Sequence, residues 1–362
     1  MSKKEKKGFN PKSQITGIIV LVLLVILTYF IIRLNVSEIN FVGVKNTWHK
    51  FNPVYAIPAV ICLLGYIFFE GRAMSAVGKP FGLKLGPVRS TVCACIELYF
   101  SGLTPSATGG QPAVVYYNSR DGLPAHKSTA MLIMNTLHYT LAMFVLAVVA
   151  IILRPNLFFS PETTFNGGGE WFFPLLIIGT ILNFGLLAIC LMLMFSQKLV
   201  RRICGGGLKL LKKMHLIKSY ESKMQKLEES LDSYSSCVLT FKSHPLAQIR
   251  CLCLNILQRL CVFAIPFFVY LGFNPSGMTT SVLIDILCIQ VLSALTVSTL
   301  PIPGGVGASE LIFISLYSKF YAPDMIQYGM LFSRFFIFYL CMIICAVVSI
   351  GNHFRITILN RR

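Results

Sequence analysis

Long apolar runs alternate with short polar segments along most of the chain. Residues 15–32 contain eighteen positions without a charge and residues 171–195 contain twenty-five. Each run is long enough to cross the hydrocarbon core of a bilayer as a helix. The pattern therefore predicts an all-α polytopic membrane protein with about six full spans. Four further apolar runs, two of which contain one arginine each, are 54–69, 128–153, 251–272 and 330–350.

Two segments rich in proline and glycine interrupt the apolar pattern. The first is TPSATGGQP at 104–112, and the second is LPIPGGVGASE at 300–310. A helix ends at such segments, because proline lacks a backbone donor and glycine costs roughly 1 kcal/mol against alanine. In hydrocarbon, a broken backbone survives only where protein buries it or where it lines a polar cavity. We therefore expect two broken or re-entrant helical hairpins, at roughly 90–120 and 281–316.

The basic residues predict how the chain is oriented. Lysines precede the first apolar run, and eleven lysines and arginines lie in the loop 197–250. The positive-inside rule places both segments in the cytoplasm, and counting spans from there places both termini in the cytoplasm as well. The two hairpins then enter the membrane from opposite faces. Such a pair is typical of an inverted repeat whose broken tips form the substrate site near the midplane.

Residues 1–362 are expected to form a single integral-membrane domain with one basic cytoplasmic loop. Within this loop, apolar residues recur every three or four positions from Met224 to Phe241, which predicts an amphipathic helix. Two uses of this helix stay open, namely packing against the membrane domain and binding of a partner.

Five charged residues lie within or against apolar runs, and they are the strongest functional signal. A charge at the bilayer centre costs about 2.5 to 3.5 kcal/mol on insertion scales, so such residues usually face a cavity or one another. Ion pairing between helices stays open for each of them. The alternative is that the arginines hold a phosphodiester while the acids contact a cationic or hydroxylated lipid headgroup. With the residues of the two breaks, the candidate substrate-binding set is Glu97, Thr104, Pro105, Gly109, Gly110, Gln111, Arg259, Asp285, Pro303, Gly304, Gly305, Glu310 and Arg334.

Several enzyme signatures are missing from the sequence. It contains no P-loop, no serine nucleophile elbow and no metal-ligand spacing. We therefore expect no cofactor and no catalytic residues, and the loop 197–250 is too small for an ordinary catalytic domain. A membrane subunit of a lipid-modifying transferase and a membrane scaffold stay open beside a lipid transporter.

Four segments of the sequence resemble the transmembrane region of bacterial lysylphosphatidylglycerol synthases, also called multiple peptide resistance factors. They are TPSATGGQPA from Thr104, YYNSRDG from Tyr116, the second break ending at Glu310, and SRFF from Ser333. The resemblance implies a flippase that moves aminoacylated phosphatidylglycerol to the outer leaflet of the bacterial cytoplasmic membrane and so confers resistance to antimicrobial peptides.

The resemblance also implies which binding partners to expect for this chain. Full-length family members carry a C-terminal soluble domain that transfers lysine from charged tRNA, whereas this sequence ends at Arg362. It is therefore similar to the stand-alone flippase-like branch, and we expect no direct binding of nucleic acid. The expected partner is membrane phospholipid, and a separate lipid aminoacyl-transferase and a second copy of the chain stay open.

Overall fold

Helices account for every regular element in the part of the chain that the structure describes. The structure is a computed structural model and describes residues 49–104, 107–159, 169–195, 202, 206, 220–297 and 308–359. The predicted span at 15–32 and most of the second break lie outside these residues. Pro105, Pro303, Gly304 and Gly305 lie outside them as well.

Proline begins several of the helices, at the position where its missing N–H is not needed. A π-helical turn, Phe335–Leu340, joins the last two helices into one continuous stretch. The described helices are α1 (Ala56–Gly78), α2 (Pro87–Leu103), α3 (Gly110–Arg120), α4 (Ala125–Leu153), α5 (Pro155–Phe159), α6 (Gly169–Phe195), α7 (Tyr220–Lys242), α8 (Pro245–Phe273), α9 (Thr280–Val297), α10 (Ala308–Tyr317), α11 (Ile326–Arg334) and α12 (Cys341–Leu359).

Four of the predicted full spans, 54–69, 128–153, 251–272 and 330–350, are confirmed within the described residues. A further long apolar stretch, Thr280–Val297, corresponds to the long limb of the second predicted hairpin. Five helical stretches are long and apolar enough to cross a bilayer, and α6 contributes a shorter apolar segment, Pro174–Ile189. The chain is therefore an all-α polytopic membrane protein. The five stretches are Pro53–Phe81, Ala125–Leu153, Pro245–Phe273, Thr280–Val297 and Ile326–Thr357.

Each break lies between a longer and a shorter described helix. The first hairpin has a long limb of 17 residues, α2, and a short limb of 11, α3. The second has a long limb of 18 residues, α9, and a short limb of 10, α10. At 1.5 Å per residue, the long limbs measure roughly 25 Å and the short limbs roughly 15 Å.

The first hairpin opens at the N-terminal end of α4. Asp121, which directly follows α3, pairs with Arg89 in the first turn of α2 at 3.1 Å, so the two ends of this hairpin lie together. Asp121 also precedes α4 by only a few residues. At the same end, Lys127 of α4 donates a hydrogen bond of 2.9 Å to the carbonyl of Phe81, which follows α1.

The second hairpin opens at the other end of α4. Arg154, which follows α4, pairs with Asp285 near the start of α9. The same carboxylate lies 3.6 Å from Lys319, just beyond α10. Because α4 has 29 residues and is roughly 43 Å long, the two hairpins enter the helix bundle from opposite ends.

The helices α1, α2, α4 and α8 form the centre of the bundle. Close packing of α1 against α2 depends on Gly71, because a Cβ atom there would lie 2.6 Å from the carbonyl oxygen of Ser90. The predicted amphipathic helix is confirmed as α7. Its apolar face is buried in the same core cluster as α4, so this face packs against the membrane domain. The buried residues on it are Leu231, Tyr234, Cys237, Val238 and Phe241.

Candidate functional site

A buried polar cluster lies where α1, α4 and α8 meet. Glu70 of α1 is only 4% exposed. Its Oε1 accepts a hydrogen bond of 2.8 Å from Asn135 of α4, and its Oε2 accepts one of 2.9 Å from Gln258 of α8. Asn255 lies one turn before Gln258 on α8 and donates to Asn135 at 3.3 Å. Both Glu70 carboxylate oxygens are therefore satisfied by side-chain amides from two other helices.

Arg259 lies beside this cluster without a counter-ion. Its side chain is 8% exposed, and its guanidinium carbon lies 3.6 Å from the centre of the Tyr139 ring and 5.9 Å from that of Phe263. Its Nε has no hydrogen-bond partner, and no acidic side chain in the described part of the chain forms a salt bridge with it. The aromatic face therefore supplies the one strong contact of this buried cation.

Glu97 on α2 is the matching unpaired anion. Its Oε2 is buried and has no hydrogen-bond partner among the described residues. Glu70, Arg259 and Tyr139 thus lie together at the centre of the bundle, and Glu97 lies on the helix α2 that packs against α1.

The first break folds into a tip directly against Glu97. Gly110 is required there, because a Cβ atom would lie 2.5 Å from the carbonyl oxygen of Glu97 and 3.0 Å from its Cγ. The Thr104 hydroxyl accepts a hydrogen bond of 2.8 Å from the backbone N–H of Gly109 and donates one of 2.8 Å to the carbonyl of Phe100. These contacts bring the start of α3 back against α2.

Gln111 fastens this tip to α4. Its side-chain amide donates a hydrogen bond of 2.6 Å to the hydroxyl of Thr136. Thr136 directly follows Asn135, which holds Glu70. The four described residues predicted for this break, Thr104, Gly109, Gly110 and Gln111, are therefore brought together beside Glu97.

The second hairpin carries a different charged pair. Glu310 lies in the first turn of α10, where a helix N-terminus favours an acidic side chain. Its Oε1 accepts a hydrogen bond of 2.7 Å from Nε of Arg334, at the end of α11. Its Oε2 is buried without a partner. The Arg334 guanidinium also lies 5.0 Å from the centre of the Phe338 ring.

Both hairpins contact the same continuous stretch of helix. A Cβ atom at Gly102, near the tip of the first hairpin, would lie 2.5 Å from Sδ of Met342 on α12. Arg334, which holds Glu310 of the second hairpin, precedes Met342 by about two helical turns. The stretch from α11 to α12 therefore lies against both hairpins.

Asp285 lies apart from these groups. The sequence pattern suggested one cavity for all five charged residues, but the structure distributes them over three places. Asp285 is in the second turn of α9, so it lies at the mouth of the second hairpin, where Arg154 and Lys319 neutralise it. Glu97 and Arg259 belong to the central cluster, and Glu310 and Arg334 pair with each other.

Glu70 and the amides that bind it were not among the residues predicted from the sequence. Glu70 directly follows the apolar run 54–69 and therefore resembled the end of a span, whereas α1 continues to Gly78. The available signal was the presence of Asn135, Asn255 and Gln258 inside apolar runs. Uncharged amides at hydrocarbon depth need partners as well.

The comparisons with known proteins agree with this architecture. Residues 14–345 match the family described as the lysylphosphatidylglycerol synthase TM region. No match was found among curated proteins. The family match includes both hairpins, the central cluster, α11 and the first residues of α12. The chain therefore belongs to the lysylphosphatidylglycerol synthase TM region family.

Proposed function

We propose that this membrane protein moves a phospholipid with a charged headgroup between the two leaflets. The substrate that fits best is an aminoacylated phosphatidylglycerol such as the lysyl form. The observation that carries the proposal is the pair Glu97 and Arg259, two charged side chains that form no salt bridge with a described residue, Glu97 with one buried carboxylate oxygen and Arg259 largely buried.

The energetic argument concerns charges at hydrocarbon depth. Removing one partner of a buried ion pair costs about 3–5 kcal/mol, because a charge is left uncompensated. Asp285, Glu310 and Arg334 avoid this cost through ion pairs within the protein. Glu97 and Arg259 form no such pair with a described residue, which leaves both side chains free to contact a ligand that enters the bundle.

The chemistry of the two side chains selects the ligand. A guanidinium binds a phosphodiester well, because its N–H groups match the phosphate oxygens. The Glu97 carboxylate suits an ammonium group. An aminoacylated phosphatidylglycerol carries both groups in one headgroup, and the family description refers to the synthase of such a lipid.

The hairpins supply a route to this site. They open at opposite ends of α4, and the tip of the first hairpin lies against Glu97. Broken helices at membrane depth are characteristic of transporter substrate sites. In this proposal the N-terminal end of α4, both termini and the loop 197–250 face the cytoplasm of a bacterial cell, and the protein lies in its cytoplasmic membrane.

The test is leaflet exchange in proteoliposomes that contain the purified protein and lysyl-phosphatidylglycerol. The accessible fraction of the lipid is followed with a membrane-impermeant amine reagent. We expect Arg259→Gln and Glu97→Gln to lower the exchange rate at least about tenfold, which corresponds to about 1.4 kcal/mol. Arg250→Gln is the matched control, because Arg250 lies on the same helix and is exposed.

Two results would contradict the proposal. The first is exchange at the wild-type rate in both variants. The second is a wild-type protein that gives no exchange but forms aminoacylated lipid when phosphatidylglycerol and aminoacyl-tRNA are added. That result would favour the transferase subunit. A scaffold that uses the apolar face of α7 is disfavoured, because this face is already buried within the protein.

A further inference from the structure

An apolar groove of about 320 Å³ lies between α4, α5 and α6. Met143, Ala147 and Ile151 line it on α4, and Leu176 and Thr180 line it on α6. The rings of Phe144 and Phe184, which also line it, contact each other across the two helices at 5.4 Å. The groove is thus bounded by two membrane helices and does not belong to the Glu97–Arg259 cluster.

The groove exposes almost no polar surface. The Thr140 hydroxyl donates to the carbonyl of Thr136 at 2.8 Å, and the Asn183 amide donates to the carbonyl of Gly179 at 2.8 Å. The remaining lining is almost entirely hydrocarbon. An occupant must therefore be apolar.

The dimensions of the groove match one leaflet. Its lining on α4 extends from Thr140, near the middle of this helix, to Ile151, close to the C-terminal end. This stretch is roughly 16 Å long at 1.5 Å per residue. Half of a hydrocarbon core that is about 30 Å thick is about 15 Å. The groove therefore has the length and depth of one lipid acyl chain, in the leaflet into which the second hairpin opens.

A cationic cluster lies at the outer end of the groove. Arg154 is located between two lining residues, Ile151 of α4 and Phe158 of α5. Arg154 and Lys319 share the single carboxylate of Asp285, so the cluster keeps one net positive charge. Both cationic side chains are about one third exposed, at 34% and 35%. A phosphate at the membrane surface would complement this charge.

We propose that the groove seats one acyl chain of an anionic phospholipid whose phosphate lies against Arg154 and Lys319. The proposal rests on the proposed function, to which it adds a binding place for the tail of the substrate in one leaflet. The lipid then has two contact regions, the groove for its tail and the central cluster for its headgroup during passage.

The test uses phosphatidylglycerol that carries a photoreactive diazirine near the end of one acyl chain. The full-length protein is reconstituted with this probe and irradiated, and the labelled peptides are mapped by mass spectrometry. We expect the labels to concentrate on Met143, Ala147 and Phe184. Ala147→Phe fills the groove and should lower this labelling at least about fivefold.

Matched variants separate groove filling from loss of structure. Val149→Phe adds the same ring two residues along α4, at a position that is 43% exposed and does not line the groove. We expect wild-type labelling in this variant. Thr180→Phe fills the groove from α6. If this variant and Ala147→Phe both lower the labelling, the loss is caused by filling of the groove and not by distortion of a single helix. In Lys319→Gln the cluster loses one positive charge. Labelling of the groove by the phosphatidylglycerol probe should therefore fall towards the level obtained with a phosphatidylcholine probe.

Three outcomes would overturn the proposal. The first is that outward-facing residues such as Ile57 and Val347 are labelled as strongly as the groove residues. The second is that groove labelling stays unchanged in both filling variants. The third is that a cross-link forms between position 147 and residues 15–32. Leaflet exchange is measured on the same preparations. Groove labelling without leaflet exchange would support the acyl-chain site and contradict the proposed function. Leaflet exchange without groove labelling would support the proposed function and contradict the acyl-chain site.

Discussion

Nε of Arg334 lies 2.7 Å from Oε1 of Glu310, and this contact joins the short limb of the second hairpin to α11. The Arg334 and Glu310 side chains are only 13% and 21% exposed. Each is therefore largely removed from water, and each neutralises the other. The pair fixes the second hairpin to the same stretch of helix that the first hairpin contacts at Met342.

Breaking this pair is expected to destabilise the protein. Glu310→Gln or Arg334→Gln leaves one charge uncompensated and should cost on the order of 3 kcal/mol. The double variant should cost less than the sum of the two, because no lone charge is left. Thermal unfolding in detergent measures these effects. Arg355→Gln is the control, since Arg355 is 52% exposed in its pair with Asp121 and should cost less than about 1 kcal/mol. Additive losses in the double variant would contradict a direct pair.

The opposite effect on stability is expected at Arg259. Because this buried guanidinium has no ion pair with a described residue, Arg259→Met removes an uncompensated charge and keeps a similar volume. We expect an unfolding temperature equal to or above that of the wild type, together with loss of leaflet exchange. A variant that unfolds several degrees earlier would show that Arg259 is structural. Tyr139→Phe keeps the aromatic face under the cation and should leave stability unchanged.

Glu70 should behave as a structural acceptor. Glu70→Ala leaves the donors of Asn135 and Gln258 without an acceptor, at a cost of about 1–3 kcal/mol for each buried group. Glu70→Gln should cost less, because Gln258 can turn its unpartnered Oε1 towards the new amide. Denaturation of the two variants measures the difference. Equal losses would contradict this network.

Two glycines of α6 form a matched pair. A Cβ atom at Gly179 would collide with the carbonyl oxygen of Leu295 on α9, whereas one at Gly185 would meet nothing within 4 Å. Gly179→Ala should therefore separate α6 from α9 at a cost of about 1–3 kcal/mol. Gly185→Ala should be neutral or stabilise the helix by up to about 1 kcal/mol. Thermal unfolding compares the two, and equal behaviour would mean that α6 does not need this close approach.

The direction of the hairpins can be tested by cysteine labelling in intact cells. Ser119 lies at the mouth of the first hairpin and Ser276 precedes the second, and both are exposed. Ser119→Cys should react only after the cytoplasmic side becomes accessible, and Ser276→Cys should react from outside. The parent protein gives the background from native cysteines. Reaction of both positions from one side would contradict the proposed topology.

The sequence predicted the features that depend on local chemistry. Proline and glycine marked both breaks, and the limits of α2 and α3 agree with the first predicted hairpin. The period of the apolar residues from Met224 to Phe241 likewise identified α7. These signals depend on residues within a few positions of one another, which is why they can be recognised before the fold is known.

The sequence could not predict which charges pair. Asp285 pairs with Arg154, which is distant in the sequence, because α9 packs beside the end of α4. Glu70 was missed because its amide partners come from α4 and α8. The isolation of Arg259 was equally invisible, since an absent partner leaves no pattern in the sequence.

The length of the hairpin limbs bears on whether lipid exchange would open an aqueous pore through the membrane. Long limbs of 17 and 18 residues measure roughly 25 Å along their axes, more than half of a hydrocarbon core of about 30 Å. Two long limbs that start from opposite ends of the bundle therefore overlap in depth. A headgroup passed between overlapping limbs needs no continuous aqueous pore, so such an exchange is compatible with an undiminished proton gradient across the same membrane.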